Sequence, residues 1–185
     1  MGILTIATLM TLDGVMQAPG GPDEDRDRGF EHGGWSFPYA GDDMREVIGD
    51  AFGRADCFNT LPKYVVSTTL ANTEWEPTTI IRGDVAVEVA KLKDRYDGEI
   101  QVHGSAALAQ TLHARGLIDE YRLFIEPVVL GTGKRLFEPG AAPTALQLVE
   151  AEPMDKGAVL ATYRPAGKPT YGEFQMEEGL GLVEI

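Results

Sequence analysis

One short segment, Glu99 to Leu108, combines the features of an anion-binding turn and contains Gly104, Ser105 and Ala106. An apolar strand precedes the glycine, and small residues open the helix that follows, so a ligand can approach the backbone closely. Unbonded N–H groups at a helix start, together with the helix dipole, favour a negatively charged group such as a pyrophosphate. The alternative is an ordinary strand–helix turn with a serine cap, because one Gly-Ser pair is much weaker than a complete Gly-x-Gly-x-x-Gly motif.

Two hydroxyl groups that follow a strand-like run, and one arginine, are further candidates for ligand contacts. Ser67 and Thr68 come directly after the run that ends at Val66, and Arg82 follows Thr79-Ile80-Ile81. Side chains at the carboxyl ends of strands face the crevice where α/β sheets bind ligands. An arginine there can hold a 2′-phosphate through two hydrogen bonds. The alternatives are turn formation by the hydroxyls and a solvated charge for the arginine.

The first strand also ends at a polar turn, Thr11-Leu12-Asp13-Gly14, whose aspartate can bond its own backbone and whose glycine tolerates positive φ. A Gly-, Pro- and Asp-rich stretch over 18–34 follows, and loops of this length are usually lids, binding loops or disordered segments. Aromatic rings come next, which either cover a flat nicotinamide or heterocycle or pack locally under the loop. They belong to Trp35, Phe37 and Tyr39.

Several kinds of site find no support in the sequence. His32, His103 and His113 lack metal-ligand spacing, and no pair of carboxylates flanks them, so no metal is expected. The single cysteine, Cys57, rules out a zinc deaminase centre and an intramolecular disulfide. Without a Gly-x-Ser-x-Gly or Walker A motif, hydrolase and kinase functions have no basis.

The elements that position these groups follow from hydrophobic periodicity. Strand–helix alternation first and strands without helices later predict an α/β fold, with a mainly parallel central sheet and antiparallel C-terminal edge strands. Helices are expected over 42–52, after a cap at Asp84, and over 105–115, the last with His113 on its exposed side. Strands are expected over 4–10, 55–58, 63–66, 99–103, 119–125, 145–151 and 158–163. We predict one domain over 1–165 and a tail over 166–185.

The charge balance narrows the choice of partners. Among 185 residues, 29 are acidic and 16 are basic, which gives a net charge of −13. Nucleic acid is not expected as a partner, because phosphate binding needs clustered lysines and arginines. No apolar run approaches the roughly 20 residues that span a bilayer, so no membrane segment is expected. The single cysteine and an N-terminus unlike a secretory signal predict a cytoplasmic protein.

Taken together, six segments resemble a known family. They are Thr11 to Gly21, His32-Gly33-Gly34-Trp35, Leu61 to Ser67, Val102-His103-Gly104-Ser105, Leu117 to Leu123 and Pro127 to Phe137. Each is weak alone, but the ordered set is similar to dihydrofolate reductase-like proteins related to the C-terminal reductase domain of the riboflavin-biosynthesis deaminase/reductase. The resemblance implies a dihydrofolate reductase-like three-layer fold and NADPH-dependent reduction.

The resemblance also implies roles for individual residues. Toward the cofactor, they are Thr11, Asp13 and Gly14 at the nicotinamide, Ser67 and Thr68 near the adenosine, Arg82 at the 2′-phosphate, and Gly104, Ser105 and Ala106 at the pyrophosphate, with Leu108 behind them. Toward the substrate, they are Leu130, Gly131, Thr132 and Gly133, with Trp35 as a cover. Hydride transfer also needs a proton, for which Asp13, Glu46 and water are candidates. An exposed helix acid is the alternative for Glu46.

The chain departs from the family between Phe58 and Asn59. The family continues there into a Gly-Arg-x-Thr-Tyr-Glu turn and a helix, which supply a phosphate-facing helix start and an arginine for the 2′-phosphate. Only Asn59 to Pro62 separates two predicted strands at this place, whereas a parallel crossover needs about a dozen residues. A segment omitted from the sequence, or a natural deletion, would account for both observations. NADH therefore stays possible beside NADPH.

The observations together predict an NADPH-dependent reductase that transfers hydride to a small pteridine- or pyrimidinone-like heterocycle. One alternative is a nucleotide-binding protein without turnover. Another is a structural homodimer in which the strands over 119–125 and 158–163 join two subunits. A homodimer is compatible with the enzyme as well.

Overall fold

The computed structural model describes residues 1–51 and 55–173. Its elements along the chain are β1 (Ile3–Thr11), α1 (Asp42–Ala51), α2 (Ala55–Thr60), β2 (Lys63–Val66), β3 (Thr78–Ile81), α3 (Val85–Arg95), β4 (Glu99–Val102), α4 (Ala106–Ala114), β5 (Glu120–Glu126), β6 (Leu146–Pro153) and β7 (Val159–Pro165). Short 3₁₀ turns at Asp27–Gly29 and Asp155–Gly157 lie in two of the connections.

The larger sheet has five strands in the order β4-β1-β5-β7-β6. β1 runs parallel to β4 and β5, whereas β7 runs antiparallel to β5 and β6. The predicted mainly parallel sheet with antiparallel C-terminal edge strands is thus confirmed. β1 is buried along almost its whole length, which explains why its sequence is apolar and alternates only weakly.

Apolar clusters cover both faces of this sheet and make three layers. On one face, Leu4 of β1 and Leu123 of β5 pack with Leu112 of α4. On the other face, Phe124 of β5 packs with Met44 of α1. Because successive strand residues point to opposite faces, the neighbours Leu123 and Phe124 belong to different layers. Most helices were predicted correctly, including the Asp84 cap, whose carboxylate accepts hydrogen bonds from two N–H groups of α3.

The predicted strand over 55–58 is wrong, because this segment belongs to α2. No parallel crossover is therefore needed between it and β2, because α2 includes Asn59 and Thr60 and only Leu61 and Pro62 connect the helix to the strand. β2 pairs instead in parallel with β3, and the two form a separate two-stranded sheet. β3 was not predicted, since four β-branched residues beside Pro77 give too short a run for periodicity. The predicted helix over 42–52 ends at Ala51 as described, and Phe52 lies outside the described residues.

His113 is buried, so its predicted place on the exposed side of α4 is wrong. Its Nδ1 lies 2.7 Å from the Tyr121 hydroxyl and its Nε2 lies 2.8 Å from the carbonyl oxygen of Ala142. The ring therefore joins α4 to β5 and to the segment before β6. Helical periodicity could not show this, because both partners come from later parts of the chain.

The late strands differ in what they leave exposed. β5 lies between β1 and β7, and β7 lies between β5 and β6, so the backbone groups of both are already paired. β6 is the edge strand on that side, and Leu148 and Val149 on it are about half exposed. No helix in the described part of the chain is long and apolar enough to cross a bilayer. The end of the tail, residues 174–185, lies outside the described residues.

Candidate functional site

The carboxyl ends of the three parallel strands lie at one edge of the sheet, where α/β folds bind ligands. β1 ends at Thr11, which is paired in register with Glu126 at the end of β5. β4 ends at Val102, two residues before Gly104. The predicted turns after β1 and β4 and the Gly-rich loop after β5 are thereby brought to the same edge.

Asp13 holds the turn after β1 to the Gly-rich loop. Its carboxylate accepts hydrogen bonds from the Thr11 hydroxyl at 2.6 Å, from Leu130 N at 3.2 Å and from Gly131 N at 2.8 Å. Arg135 adds an ion pair at 3.2 Å. Partial burial would raise the pKa of Asp13, but these four donors outweigh it and lower the pKa to about 2. Asp13 is therefore a structural carboxylate that stays ionised.

Gly133 sets the shape of the Gly-rich loop. Its φ is +118°, a backbone conformation that residues with a side chain rarely adopt. A Cβ at this position would lie 2.6 Å from Val15 Cγ1 and 2.8 Å from Phe30 Cε2. The loop can therefore approach the long segment after β1 only because this residue has no side chain. Thr132, next to it, is exposed.

Lys134 fastens the long loop over 18–34 to the Gly-rich loop. Its ammonium group lies 2.8 Å from Asp25 and 3.0 Å from Asp27. The hydrogen bond with Lys134 lowers the pKa of both aspartates, and the hydrogen bond with Asp25 raises the pKa of Lys134. Gln17 completes the clamp, because its amide donates to the carbonyl oxygens of Asp25 and Asp27 and accepts from Lys134 N.

The start of α4 opens on a cavity of about 290 Å³. Ser105 occupies the N-cap position, but its side chain makes no capping hydrogen bond, in contrast to Asp84 at α3. The serine-cap alternative is thus not what the structure shows. Leu108, in the first turn of α4, packs against the core, and its role toward a cofactor stays a prediction. The cavity is lined by Ser105, Ala106, Ala107 and Gln110 on the helix side and by Asp27, Arg28, Lys134 and Glu138 on the loop side.

This cavity fits the phosphate part of a nucleotide. A Cβ on Gly104 would meet nothing within 4 Å, so the turn leaves open space beside the backbone. The uncapped helix start favours negative charge there, while the two cations of the lining, Arg28 and Lys134, are balanced by two acids, Asp27 and Glu138. In the described part of the chain, no group of three or more His, Cys, Asp or Glu residues could hold a metal ion.

Ser67, Thr68 and Arg82 lie together on the small sheet, but they hold their own turn. The Ser67 hydroxyl accepts hydrogen bonds from Thr69 N and Leu70 N, at 3.3 and 3.0 Å. The Arg82 guanidinium donates to the carbonyl oxygens of Thr68, Leu70 and Ala71. This is the turn-forming alternative for the serine, and the role of all three toward a nucleotide stays a prediction.

Trp35 packs locally under the long loop. The indole is 7% exposed, its Nε1 donates to the carbonyl oxygen of Gln17 at 2.8 Å, and its ring contacts Val15 and Phe30. Little of its surface is left for stacking on a ligand. Phe37, two residues later, is 62% exposed and remains available to a flat ring.

Neither carboxylic acid proposed as proton donor suits that role. Asp13 is ionised and fully bonded, and Glu46 is exposed on the outer face of α1. The structure instead reveals Glu126, which is 0% exposed and was not singled out in the sequence. The Ser36 hydroxyl donates to its Oε1 at 2.5 Å. Burial raises the pKa of Glu126 to about 7, although the Ser36 hydrogen bond acts in the opposite direction. An acidic residue that ends an apolar strand, followed by proline, was the available signal.

Part of the sequence matches a known family. Residues 35–160 match the family model described as RibD C-terminal domain. A Bacillus subtilis (strain 168) protein with the name "Uncharacterized protein YyaP" is 37% identical over 101 residues, or 55% of this chain. The chain spans about half the length of that relative, since the matched stretch covers 53% of it.

Solved structures share the fold at low sequence identity. A candidate riboflavin biosynthesis protein from Shewanella sp. PV-4 is similar with a TM-score of 0.60 at 15% identity, covering 88% of this chain and 98% of that one. A pyrimidine reductase-like protein from Corynebacterium diphtheriae gives 0.52 at 12% identity, covering 88% and 91%. The Thermotoga maritima diaminohydroxyphosphoribosylaminopyrimidine deaminase/5-amino-6-(5-phosphoribosylamino)uracil reductase gives 0.54 at 14% identity, covering 89% and 57%. The predicted dihydrofolate reductase-like fold is thereby confirmed.

Proposed function

The chain belongs to the RibD C-terminal domain family, and on that premise we propose that it is an NADPH-dependent reductase of a small heterocycle. The substrate class is pteridine- or pyrimidinone-like, similar to the phosphoribosylaminouracil that names the Thermotoga maritima relative. The observation that carries the proposal is the uncapped start of α4, which faces an open cavity. No protein side chain needs to leave before a pyrophosphate binds to those N–H groups.

When bound, the reduced nicotinamide supplies the hydride, and the protein's residues bind, orient and exclude water. The first turn of α4 holds the pyrophosphate with the help of Lys134 and Arg28. Asp13 takes no part in proton transfer and keeps the Gly-rich loop, Leu130 to Gly133, in place at the substrate side. The Lys134 clamp holds the long loop beside the Gly-rich loop.

The preference for NADPH over NADH rests on Arg82, which lies at the end of β3. Its guanidinium already donates to three carbonyl oxygens, which fixes its position, and it has five N–H donors in all, so others can donate to a phosphate. Replacing Arg82 with glutamine should weaken NADPH binding more than NADH binding. Equal losses for the two cofactors would show that Arg82 acts only by holding its turn.

The test is NADPH consumption in the presence of 5-amino-6-(5-phosphoribosylamino)uracil, followed by loss of reduced-nicotinamide absorbance. Ala107→Asp places a negative charge in the first turn of α4, where it suits the helix dipole but repels a pyrophosphate. Ala107→Asn is the matched neutral control. We expect the aspartate variant to fold and to raise the KM for NADPH at least about 10-fold, an energy of about 1.4 kcal/mol. Equal KM values for the two variants would contradict the assigned phosphate site.

A second candidate function is a nucleotide-binding homodimer without turnover, acting as a scaffold or sensor. The missing Gly-Arg-x-Thr-Tyr-Glu motif after Phe58 favours it, since the family places phosphate contacts there. NADPH binding without consumption of NADPH by any pteridine or pyrimidinone would select this candidate over the reductase.

We also propose that the protein is a homodimer in the cytoplasm and that β6 contributes to the dimer. β6 is an edge strand with free backbone groups and exposed apolar side chains, Leu148 and Val149. β5 and β7 cannot extend the sheet into a second copy, because they are interior strands. Val149→Lys should convert the dimer to a monomer in sedimentation equilibrium, and a monomeric parent protein would contradict the proposal.

A further inference from the structure

We propose that Glu126 is the acid that supplies the proton when the substrate is reduced, with its Oε2 as the donor atom and Ser36 as the residue that positions it. The inference deepens the proposed function and rests on it. The reduction requires a proton donor, and neither Asp13, which is ionised, nor Glu46, which is exposed to solvent, suits that role.

Glu126 lies at the edge of the sheet where the parallel strands end. It ends β5, next to Thr11 at the end of β1, on the face of the sheet that α1 covers. Glu126 is 0% exposed, and its Oε2 has no hydrogen-bond partner among the described residues. A buried polar atom without a partner is costly, so its presence at a ligand-binding edge points to a ligand as the missing partner.

Ser36 fixes the other oxygen of the same carboxyl. Its hydroxyl donates to Oε1 at 2.5 Å, which leaves Oε2 to carry the proton. The turn that holds Ser36 is joined to the long loop, because Gly34 N donates to the carbonyl oxygen of Ala18 and Ser36 N to that of Pro19. Ser36 and its turn therefore hold the Glu126 carboxyl in one orientation, with Oε2 as the oxygen left for a ligand.

The charged groups on the surrounding elements leave the Glu126 carboxyl free to hold a proton. After β1, Asp13 is paired with Arg135. On α1, Asp43 accepts hydrogen bonds from Met44 N and Asp155 N, and Glu46 is exposed. Lys156 on the 3₁₀ turn before β7 donates to the carbonyl oxygen of Ala40.

None of these described contacts brings a cation to Glu126. Without one, burial favours the neutral acid, in agreement with a pKa raised to about 7.

The proposed step is balanced. Hydride and its electron pair pass from the reduced nicotinamide to the carbon of a C=N or C=O bond. The proton passes from Oε2 to the nitrogen or oxygen of that bond, so that the substrate gains two hydrogens and the cofactor becomes oxidised. Glu126 is left as a buried carboxylate, and solvent returns its proton when the product leaves.

The first measurement does not depend on turnover. Carboxyl carbons of ¹³C-labelled glutamates are titrated by NMR in the full chain, and Glu126→Gln identifies the Glu126 signal by its loss. We expect a midpoint near pH 7, as its raised pKa predicts, and a higher midpoint in Ser36→Ala, which lacks the hydrogen bond that favours the carboxylate. A midpoint in the ordinary range of glutamates, about pH 4 to 5, would overturn the proposal.

The second measurement is the pH dependence of NADPH consumption with 5-amino-6-(5-phosphoribosylamino)uracil. The parent kcat should fall as the pH rises through the midpoint found by NMR, because the donor loses its proton. Glu126→Gln has nearly the same size and keeps a hydrogen-bonding oxygen for Ser36, so a purely structural role would be retained. We expect it to lower kcat about 100-fold, to remove the pH dependence and to leave the KM for NADPH unchanged. Glu126→Asp should recover part of kcat and a pH-dependent decline.

The outcomes separate this inference from the proposed function. Parent-like kcat and pH dependence in a folded Glu126→Gln would overturn the role of Glu126 and leave the reductase standing. Binding of NADPH without any consumption in the parent protein would overturn the reductase, and the proton donation with it.

Discussion

Asp13 and Glu126 end neighbouring strands, yet their surroundings give the two carboxyls opposite charge states. Asp13 receives four hydrogen bonds, one of them from a cation, and its pKa is lowered to about 2. Glu126 receives one, inside an apolar layer, and its pKa is raised to about 7. The two acids therefore have different roles: Asp13 holds a loop as a carboxylate, and Glu126 carries the proton as a neutral acid.

Asp13→Asn should destabilise the fold. The amide loses the ion pair with Arg135 and turns an N–H donor toward backbone N–H groups, so we expect the free energy of unfolding to fall by about 1–2 kcal/mol near pH 7. The lowered pKa means that the carboxylate stabilises the fold above its ordinary value of 3.8, and that this contribution is lost as the pH falls toward about 2.

Urea unfolding at several pH values measures this difference, with Asp94→Asn on the exposed side of α3 as the matched control. We assign to Asp13 the role of holding the turn after β1 to the Gly-rich loop. An equal loss of unfolding free energy in the two variants, or a loss that does not become smaller at acidic pH, would contradict that role.

Glu126→Gln should have the opposite pH dependence. The raised pKa means that the neutral acid stabilises the fold below the ordinary value of 4.5, and that this contribution is lost as the pH rises through about 7. The amide stays neutral, so the variant should be the more stable protein by about 1–3 kcal/mol at about pH 8.5 and similar to its parent at about pH 4.5. Thermal or urea unfolding measures the difference, with the exposed Glu46→Gln as control.

At the scale of elements, the same kind of helix start is used in two ways. The Asp84 carboxylate accepts hydrogen bonds from the first N–H groups of α3, whereas the Ser105 side chain makes no such bond at the start of α4. The first helix end is closed and structural, and the second is available to a ligand. The loops around α4 depend in turn on a glycine and on a lysine.

Gly133→Ala should be strongly destabilising. The new Cβ meets Val15 and Phe30 and requires a φ that alanine avoids, so we expect a loss of about 2–4 kcal/mol in the free energy of unfolding. Gly131→Ala is the matched control, since its φ of +75° is also unfavourable but its Cβ meets nothing within 4 Å. It should lose only about 1–2 kcal/mol. Equal losses of unfolding free energy in Gly133→Ala and Gly131→Ala would contradict the close contact between residue 133 and Val15.

Lys134→Met should release the long loop while keeping the fold. The variant loses both ion pairs and retains a long apolar side chain, so amide hydrogen exchange over 20–30 should become faster. Salt should have a related effect on the parent protein, because the Debye length falls to about 3 Å at about 1 M ionic strength. Lys91→Met, which removes an exposed ion pair on α3, is the control. Unchanged exchange in the loop would show that other contacts hold it.

At the scale of the whole molecule, local signals predicted most elements, and distant contacts account for the misses. β1, α3 and α4 follow from periodicity and capping within a few residues. The strand expected over 55–58 is helical, because a short run carries no periodicity that separates helix from strand. Glu126 escaped notice because its partner Ser36 is 90 residues away, and the bonds from Asp13 to Gly131 and Arg135 span 118 and 122 residues.

Fluorescence titration with NADPH, repeated with NADH, would measure whether the start of α4 binds a reduced dinucleotide, as we propose. Trp35 and Trp75 are fluorescent, and the reduced nicotinamide can accept their excitation energy, so binding can be followed without an added label. The account predicts saturable quenching by both cofactors, tighter for NADPH, and at least about 10-fold weaker in Ala107→Asp than in Ala107→Asn. Absence of quenching in the folded parent protein, or equal affinity in the two variants, would contradict it.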